Sequence, residues 1–399
     1  MGQRTALIVG AGIGGLAAGI ALRRAGWHAR IFERAASPRE LGFALNLAPN
    51  AMIALRELGL AERLIADGNV TADVEVRRAD GRVLKRLNVA AAMADAPSVV
   101  ALRQVLHGAL LTATAPETLV PNSEAVGFEA TDSGVVLTFS DGRSETGDVL
   151  IGADGLGSVI RRRLHPHEPP PRRSGYYGIR GVAHDVGHHL GNLSAVAYFG
   201  HRIEAATVRA SKHAVYWYIS LLAEDVPADT REPHAIVERC TALLDDRFRA
   251  IAHATRPEDL RLDELCDRDP IADWGRGPVT LLGDAVHPML PHTGQGAAQA
   301  LEDAVALSLA LASGEDPVGS LRRYERVRSP RTRRIVKRGR RLVKFMTTKS
   351  RVVDWLRATA LQIMPARSMV AVLMPADTTD PHRALRSSTV GVYTESTSS

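Results

Sequence analysis

A run of four apolar residues, Ala6-Leu7-Ile8-Val9, leads straight into Gly10-Ala11-Gly12-Ile13-Gly14-Gly15. The run reads as a strand buried on both faces. A helical pattern follows to about Ala25, then a second strand, Ala29 to Phe32, ends at Glu33. In that setting G-x-G-x-x-G at Gly10, Gly12 and Gly15 has a physical reason at each position: a tight turn, close backbone approach to a pyrophosphate, and close helix-on-strand packing. The helix N-terminus offers unpaired N–H groups and its positive dipole end to phosphates. Glu33, with Arg34 beside it, stands 23 residues after Gly10, where an acid accepts hydrogen bonds from an adenosine ribose. The turn therefore selects an α/β fold built for a dinucleotide. It leaves NAD and FAD both open, and no second G-x-G-x-x-G follows downstream.

The same stretch has a rival reading. Thr5 to Leu22 is uncharged and mostly apolar between Arg4 and Arg23, in the manner of a signal peptide or a membrane span. Five of its positions are glycine, which would weaken a spanning helix, so a buried strand followed by a helix is favoured.

With 399 residues, 45% of them hydrophobic, the chain can bury a large core as two or three lobes or one interleaved pair. Two cysteines, Cys240 and Cys266, make no disulfide framework, and nothing has zinc-ligand spacing. No metal is expected, and a reducing, cytoplasmic compartment fits. Lys and Arg exceed Asp and Glu by 50 − 44 = 6, too little to decide for or against an acidic partner.

Two further strand ends carry glycine beside an acid. Val149-Leu150-Ile151 runs into Gly152-Ala153-Asp154-Gly155-Leu156-Gly157-Ser158, followed by Arg161. Val279 to Leu282 runs into Gly283-Asp284-Ala285-Val286-His287-Pro288. A loop with Pro291, Gly294, Gln295 and Gly296 then opens an Ala-rich helix from about Gly296 to Ala312. Ligands of open α/β sheets sit at the carboxyl ends of the strands, so the three turns fit one extended dinucleotide.

In this order the three motifs resemble the fingerprints of the group A FAD-dependent monooxygenases, the para-hydroxybenzoate and salicylate hydroxylase type. The resemblance extends to Pro49-Asn50-Ala51, Leu58-Gly59-Leu60, Arg103, Glu302-Asp303-Ala304 and Tyr324-Glu325, covering roughly residues 4 to 335. It implies FAD as cofactor, NAD(P)H as co-substrate, and hydroxylation of an aromatic or polycyclic phenol by O₂ through a flavin C4a-hydroperoxide. Epoxidation, Baeyer–Villiger oxidation or oxidative decarboxylation are alternatives within the same chemistry. By position it implies Glu33 at the adenosine ribose, Arg103 reaching the FAD, Asp284 at the ribityl chain, and Asp154-Gly155 near the pyrophosphate and the passage of NAD(P)H. The helix start Gly294-Gln295-Gly296 would face the pyrimidine edge of the flavin, where a helix N-terminus favours negative charge. One departure concerns Leu41-Gly42-Phe43-Ala44-Leu45, where Ala44 replaces a glycine frequent in the family.

The implied fold is a Rossmann-type FAD-binding domain (1–70, 98–168 and 277–320) interleaved with a mixed β-sheet substrate domain (71–97 and 169–276). A C-terminal helical region (321–385) and a flexible tail (386–399) follow. Between Tyr176 and Leu222 four successive strands are expected, with Tyr216 and Tyr218 on one face and Trp217 on the other. Arg180, Tyr216, Pro291 and His213 are the candidate catalytic residues, and Tyr177 and Tyr218 are further candidates for lining the pocket. Arg180 suits a substrate carboxylate or phenolate, and His213, with His287 as a second choice, suits a base.

Arg322 to Lys344 holds twelve Lys/Arg and one acid, Glu325, and reads as an amphipathic helix with a solvated basic face. A rival reading makes it a nucleic-acid or membrane-surface binding element. The expected partners are a small-molecule substrate and O₂, with no nucleic acid, no stable membrane insertion, and a monomer or homodimer.

Overall fold

The fold is taken from a computed structural model, which describes residues 3–37, 43–92, 97–227, 232–312, 316–373 and 385. Residues 386–399, expected as a loose tail, and Leu41-Gly42 lie outside these. Five parallel strands form the first sheet, in the order Val279–Leu281, Val149–Gly152, Thr5–Val9, His28–Phe32 and Leu119–Val120. Leu7, Ile8, Leu150 and Ile151 are fully buried, as continuous apolar strands of a covered parallel sheet must be. Thr5–Leu22 is thus a buried strand followed by the start of a helix, Ile13–Arg24. That helix packs against the long apolar helix Gly296–Ala312. The strand order carries the chain ends of all three glycine–acid turns to one edge of this sheet.

A second sheet has seven strands, in the order Leu260–Asp267, Arg172–His184, Ala214–Leu222, Ile203–Arg209, Ala195–Gly200, Asp73–Arg78 and Val83–Asn88. Its pairs are antiparallel except Ala195–Gly200 with Asp73–Arg78. Strand alternation divides its faces. Val215, Trp217 and Ile219 face a core with Tyr198 and Phe248, where the Trp217 Nε1 donates to Thr255 Oγ1 at 2.7 Å. Tyr216, Tyr218 and Ser220 face the other way, toward the parallel sheet. The expected split of Trp217 from its two tyrosine neighbours holds.

The basic segment lies in one helix, Pro317–Met346, with Pro330 inside it. The helices Arg351–Ile363 and Ala366–Leu373 follow, separated at Pro365. Among the described residues, no helix is long and apolar enough to cross a membrane.

Candidate active site

One cavity of about 740 Å³ lies between the two sheets, within the ~300–1,000 Å³ range of ligand sites. Gly10, Gly12, Gly14, Glu33, Arg34, Arg103, Asp154, Gly155, Asp284, Gly294 and Gly296 line it, so the three turns, spread between Gly10 and Asp284 in sequence, meet at one wall.

The first turn is shaped for close approach. Gly10 has φ +102°, and a Cβ there would stand 2.7 Å from the Ala153 carbonyl oxygen of the second turn. A Cβ at Gly15 would lie 1.9 Å from the Gly10 carbonyl oxygen. Gly15 therefore packs the turn from behind and does not line the cavity. In the helix Ile13–Arg24 the first intrahelical bond is Leu16 N–H to Gly12 C=O, which leaves the N–H groups before it without intrahelical acceptors. Glu33 braces the turn: one carboxylate oxygen accepts from Ala11 N–H at 2.9 Å and the other from Ala35 N–H at 3.0 Å. A carboxylate accepts about four bonds, so Glu33 keeps capacity for ribose hydroxyls.

Asp154 caps its own short helix, Val159–Leu164, accepting from Ser158 Oγ at 2.5 Å and Val159 N–H at 2.6 Å, and burial raises its pKa. Arg161, fully buried, ties this turn to the third. It pairs with Glu168 at 2.5 Å and donates to the carbonyls of Ala285 and Val286 at 3.1 and 2.7 Å. Burial lowers the Arg103 pKa while the Asp284 carboxylate raises it. Both residues line the cavity. Gly294 takes a left-handed φ of +62° and turns the chain into the helix Gly296–Ala312, whose first bond runs from Gln299 N–H to Gln295 C=O. Two helix N-termini therefore present unpaired N–H groups to one cavity.

Gln295 does not reach the cavity. Its side chain is buried beneath the helix start, accepting from Asn50 Nδ2 at 3.0 Å and Gln299 Nε2 at 3.1 Å. The network continues through Glu302, which takes hydrogen bonds from Asn50, Gln299 and Arg331, into Arg328. Arg328, wholly buried, bonds Asp303 at 2.7 Å and Gln299 Oε1 at 2.7 Å as well as Glu302. Despite its burial, the neighbouring His287 and Arg328 hold Asp303 at about 2. Asp303 in turn accepts from Gly283 N–H at 3.0 Å. The expectation of a merely solvated basic face is corrected here: Arg328 and Arg331 clamp the cofactor-facing helix and the Gly283-Asp284 turn, and Arg340 bonds Asp267 at 2.7 Å and Asp269 at 2.6 Å. Spacing could not show this, because the acids they meet lie some 25 to 70 residues upstream.

The seven-stranded sheet forms the opposite wall. Arg180, Tyr216 and Pro291 line it, and Arg180 pairs with Asp263 at 3.2 Å. His213 lies elsewhere. It is 81% exposed on a tight turn between strands and pairs with Asp185 at 3.0 Å. Tyr177, whose side chain alternates with Gly178 and Arg180, is likewise outside the cavity lining, and His287 is buried against Asp303. A cluster that no sequence pattern announced takes their place. Tyr218 donates to Glu204 Oε1 at 3.0 Å, while Glu204 Oε2 has no hydrogen-bond donor among the described residues. His292, next to Pro291, bonds Ser220 Oγ through Nε2 at 2.9 Å, approaches Glu204 Oε2 at 3.7 Å, and leaves Nδ1 unpartnered. Burial pushes the Glu204 carboxyl up to about 7, against the lowering pull of the Tyr218 hydroxyl and Arg357. Burial and Arg180 hold the His292 imidazole down at about 4, so at neutral pH it is uncharged and its approach to Glu204 is not an ion pair. Among the described residues, no group of three or more His, Cys, Asp or Glu could hold a metal ion.

A dinucleotide cradle at the edge of a parallel sheet, closed by a mixed sheet that carries buried acid–base groups, defines a flavin-dependent enzyme. The chain belongs to the FAD binding domain family, which matches residues 3–339. It is an FAD-dependent monooxygenase. It is 32% identical over 363 residues to the aurachin C monooxygenase/isomerase of Stigmatella aurantiaca, covering 90% of this chain and 94% of that one. Identity to 3-hydroxybenzoate 6-hydroxylase 1 of Aquipseudomonas alcaligenes is 35% over 347 residues, covering 82% and 86% of the two chains. The crystal structure of Klebsiella pneumoniae HpxO complexed with FAD and uric acid superposes with a TM-score of 0.87 at 25% identity, covering 94% of this chain and 96% of that one.

Proposed function

We propose that this chain hydroxylates an aromatic small molecule with O₂ and NAD(P)H, and that residues 1–70, 98–168 and 277–320 hold the FAD while 71–97 and 169–276 hold the substrate. The observation that supports it is the shared cavity: the three glycine–acid turns form one wall, and Arg180, Tyr216, Tyr218, Glu204 and His292 form the other. The residues fit FAD, since a Cβ at Gly10, Gly14 or Gly15 would clash with its neighbours and two helix N-termini are aimed at anionic groups. The N–H groups around Gly12–Gly14 take the pyrophosphate, Glu33 the adenosine ribose, and Asp284, set against Arg103, the ribityl hydroxyls. The Gly294–Gly296 helix start faces the pyrimidine edge. FAD, when bound, supplies the electrons drawn from NAD(P)H and activates O₂.

The chain's residues do the rest. Arg180 holds an anionic oxygen of the substrate by a charge-assisted hydrogen bond. Glu204, which lines the cavity and whose Oε2 has no donor among the described residues, receives the proton of the substrate hydroxyl, which raises electron density on the ring at the moment of oxygen transfer. Tyr218 fixes the carboxyl in place, and neutral His292 with Ser220 offers the onward path for that proton. The seven-stranded sheet, as one wall of the cavity, shields the reacting atoms from water. Internal pairing of Arg328, Arg331 and Arg340 supports a partner list of substrate and O₂ without nucleic acid; a cytoplasmic monomer or homodimer is proposed with it.

The test is a visible spectrum of the purified protein, followed by NADH or NADPH oxidation in air with phenolic acids, hydroxypyridines and polycyclic phenols. A yellow protein whose NAD(P)H oxidation is stimulated by one class, with a hydroxylated product, is expected. Consumption of NAD(P)H that none of them stimulates would overturn the hydroxylase reading.

A further inference from the structure

The cavity does not end at the catalytic cluster. Cross-strand register carries it along one face of the seven-stranded sheet. From the central strands outward, Tyr216 pairs with Val208, Val208 with Ala195, Ala195 with Val74, and Val74 with Leu87, and every one of the five lines the cavity. The neighbouring ladder runs from Arg180 to Tyr218, Ala206 and Ala197, again all lining it. At ~4.8 Å per strand, the first ladder reaches about 19 Å from Tyr216 to Leu87.

Its chemistry changes on the way. The end near the glycine turns is charged and aromatic, whereas the far end is made of Val74, Leu87, Ala195, Ala197, Phe199 and Met346. Val74, Leu87, Phe199 and Met346 are each 7% exposed or less, and all four belong to one apolar cluster closed by the long helix. Alanine at two successive inward positions of the strand Ala195–Gly200, Ala195 and Ala197, keeps space where larger side chains would fill it. Protein interiors are otherwise packed to the density of organic crystals, and a closed apolar space of this kind stays dry and takes apolar ligands.

We propose that this far chamber is a binding subsite for an extended apolar substituent, so that the substrate is an aromatic or heteroaromatic head bearing an alkyl or prenyl-like tail. The head lies by Arg180 and Tyr218, and the tail passes beneath Ala206 and Ala197 to end against Phe199 and Met346. This rests on the hydroxylase reading for the head, while the chamber itself is argued from the sheet alone.

The test uses the FAD-loaded protein and the series phenol, 4-butylphenol and 4-octylphenol, with Kd measured by isothermal titration and NAD(P)H oxidation followed in parallel. Burial of each methylene is expected to tighten binding by up to about fourfold, so 4-octylphenol binds at least about a hundredfold more tightly than phenol. Ala197→Phe, and independently Met346→Trp, fill the chamber and cut that ratio at least tenfold; two variants are used because either alone can misfold. Tight octylphenol binding with no stimulated oxidation would leave the chamber standing and reject the phenolic head. A flat series, or a tail preference that survives in a folded chamber-filling variant, would overturn the proposal.

Discussion

The two oxygens of Glu204 have unlike surroundings: one accepts from Tyr218, and the other is buried with His292 3.7 Å away. A carboxyl poised near neutrality by burial, with Tyr216, Tyr218, His292 and Arg357 as its titratable neighbours, changes charge in the working range. Turnover is expected to rise with pH through about 7. Glu204→Gln should remove that limb and lower kcat at pH 8 by about a hundredfold; an unchanged pH profile would show that the proton goes elsewhere. The linked stability effect has a definite sign. Glu204 has its folded pKa raised from 4.5, so its contribution is full below that value and is lost as pH climbs through about 7. His292 has its folded pKa lowered from 6.5, so its contribution is full above that value and is lost as pH falls toward about 4. At the opposite wall, Gly10→Ala puts a methyl against Ala153 and strains a positive φ. It is expected to yield colourless protein, measured as flavin absorbance per chain, with at least tenfold weaker FAD binding.

At the scale of the element, helix Pro317–Met346 separates charge that is structural from charge that is merely solvated. Arg328→Met leaves Glu302 and Asp303 buried with one partner fewer and should cost about 3–5 kcal/mol in urea unfolding. Arg334→Met, on the exposed side of the same helix, should stay within about 0.5 kcal/mol. The contrast also marks how far reading the sequence could go. The glycine turns were legible because their chemistry is local: strand, turn, helix and acid all lie within Ala6–Glu33. The four strands from Tyr176 to Leu222 and the division between Trp217 and Tyr216/Tyr218 followed from period-two alternation. Glu204 was not legible, since what makes it notable is a tyrosine on the adjacent strand and a histidine 88 residues later. Arg328 was misread as solvated because its acids sit on another helix. His213 attracted attention as a histidine beside the aromatic strands, yet the turn that holds it points it at solvent.

At the scale of the molecule, the cofactor cradle draws on turns near residues 10, 154 and 284, and the Arg161 side chain staples the second turn to the third. FAD held there would join elements far apart in the chain and should stabilise the fold as a unit. Thermal unfolding of the holoprotein is expected as one transition, rising with added FAD. A hundredfold excess over Kd adds about 2.7 kcal/mol. Two separate transitions, with only the first responding to FAD, would show that the two sheets unfold independently.

The Arg328 clamp has a consequence for biosynthesis. The third glycine–acid turn and the helix after it are held by a side chain made some 25 to 45 residues later. A nascent chain stopped before Pro317 has synthesised every glycine of the cradle, but its Glu302 and Asp303 carboxylates lack their buried counter-charge. Flavin loading is therefore expected to be complete only once the long helix has left the ribosome. Chains truncated within that helix would reach the cell's quality-control machinery as colourless, unfinished molecules.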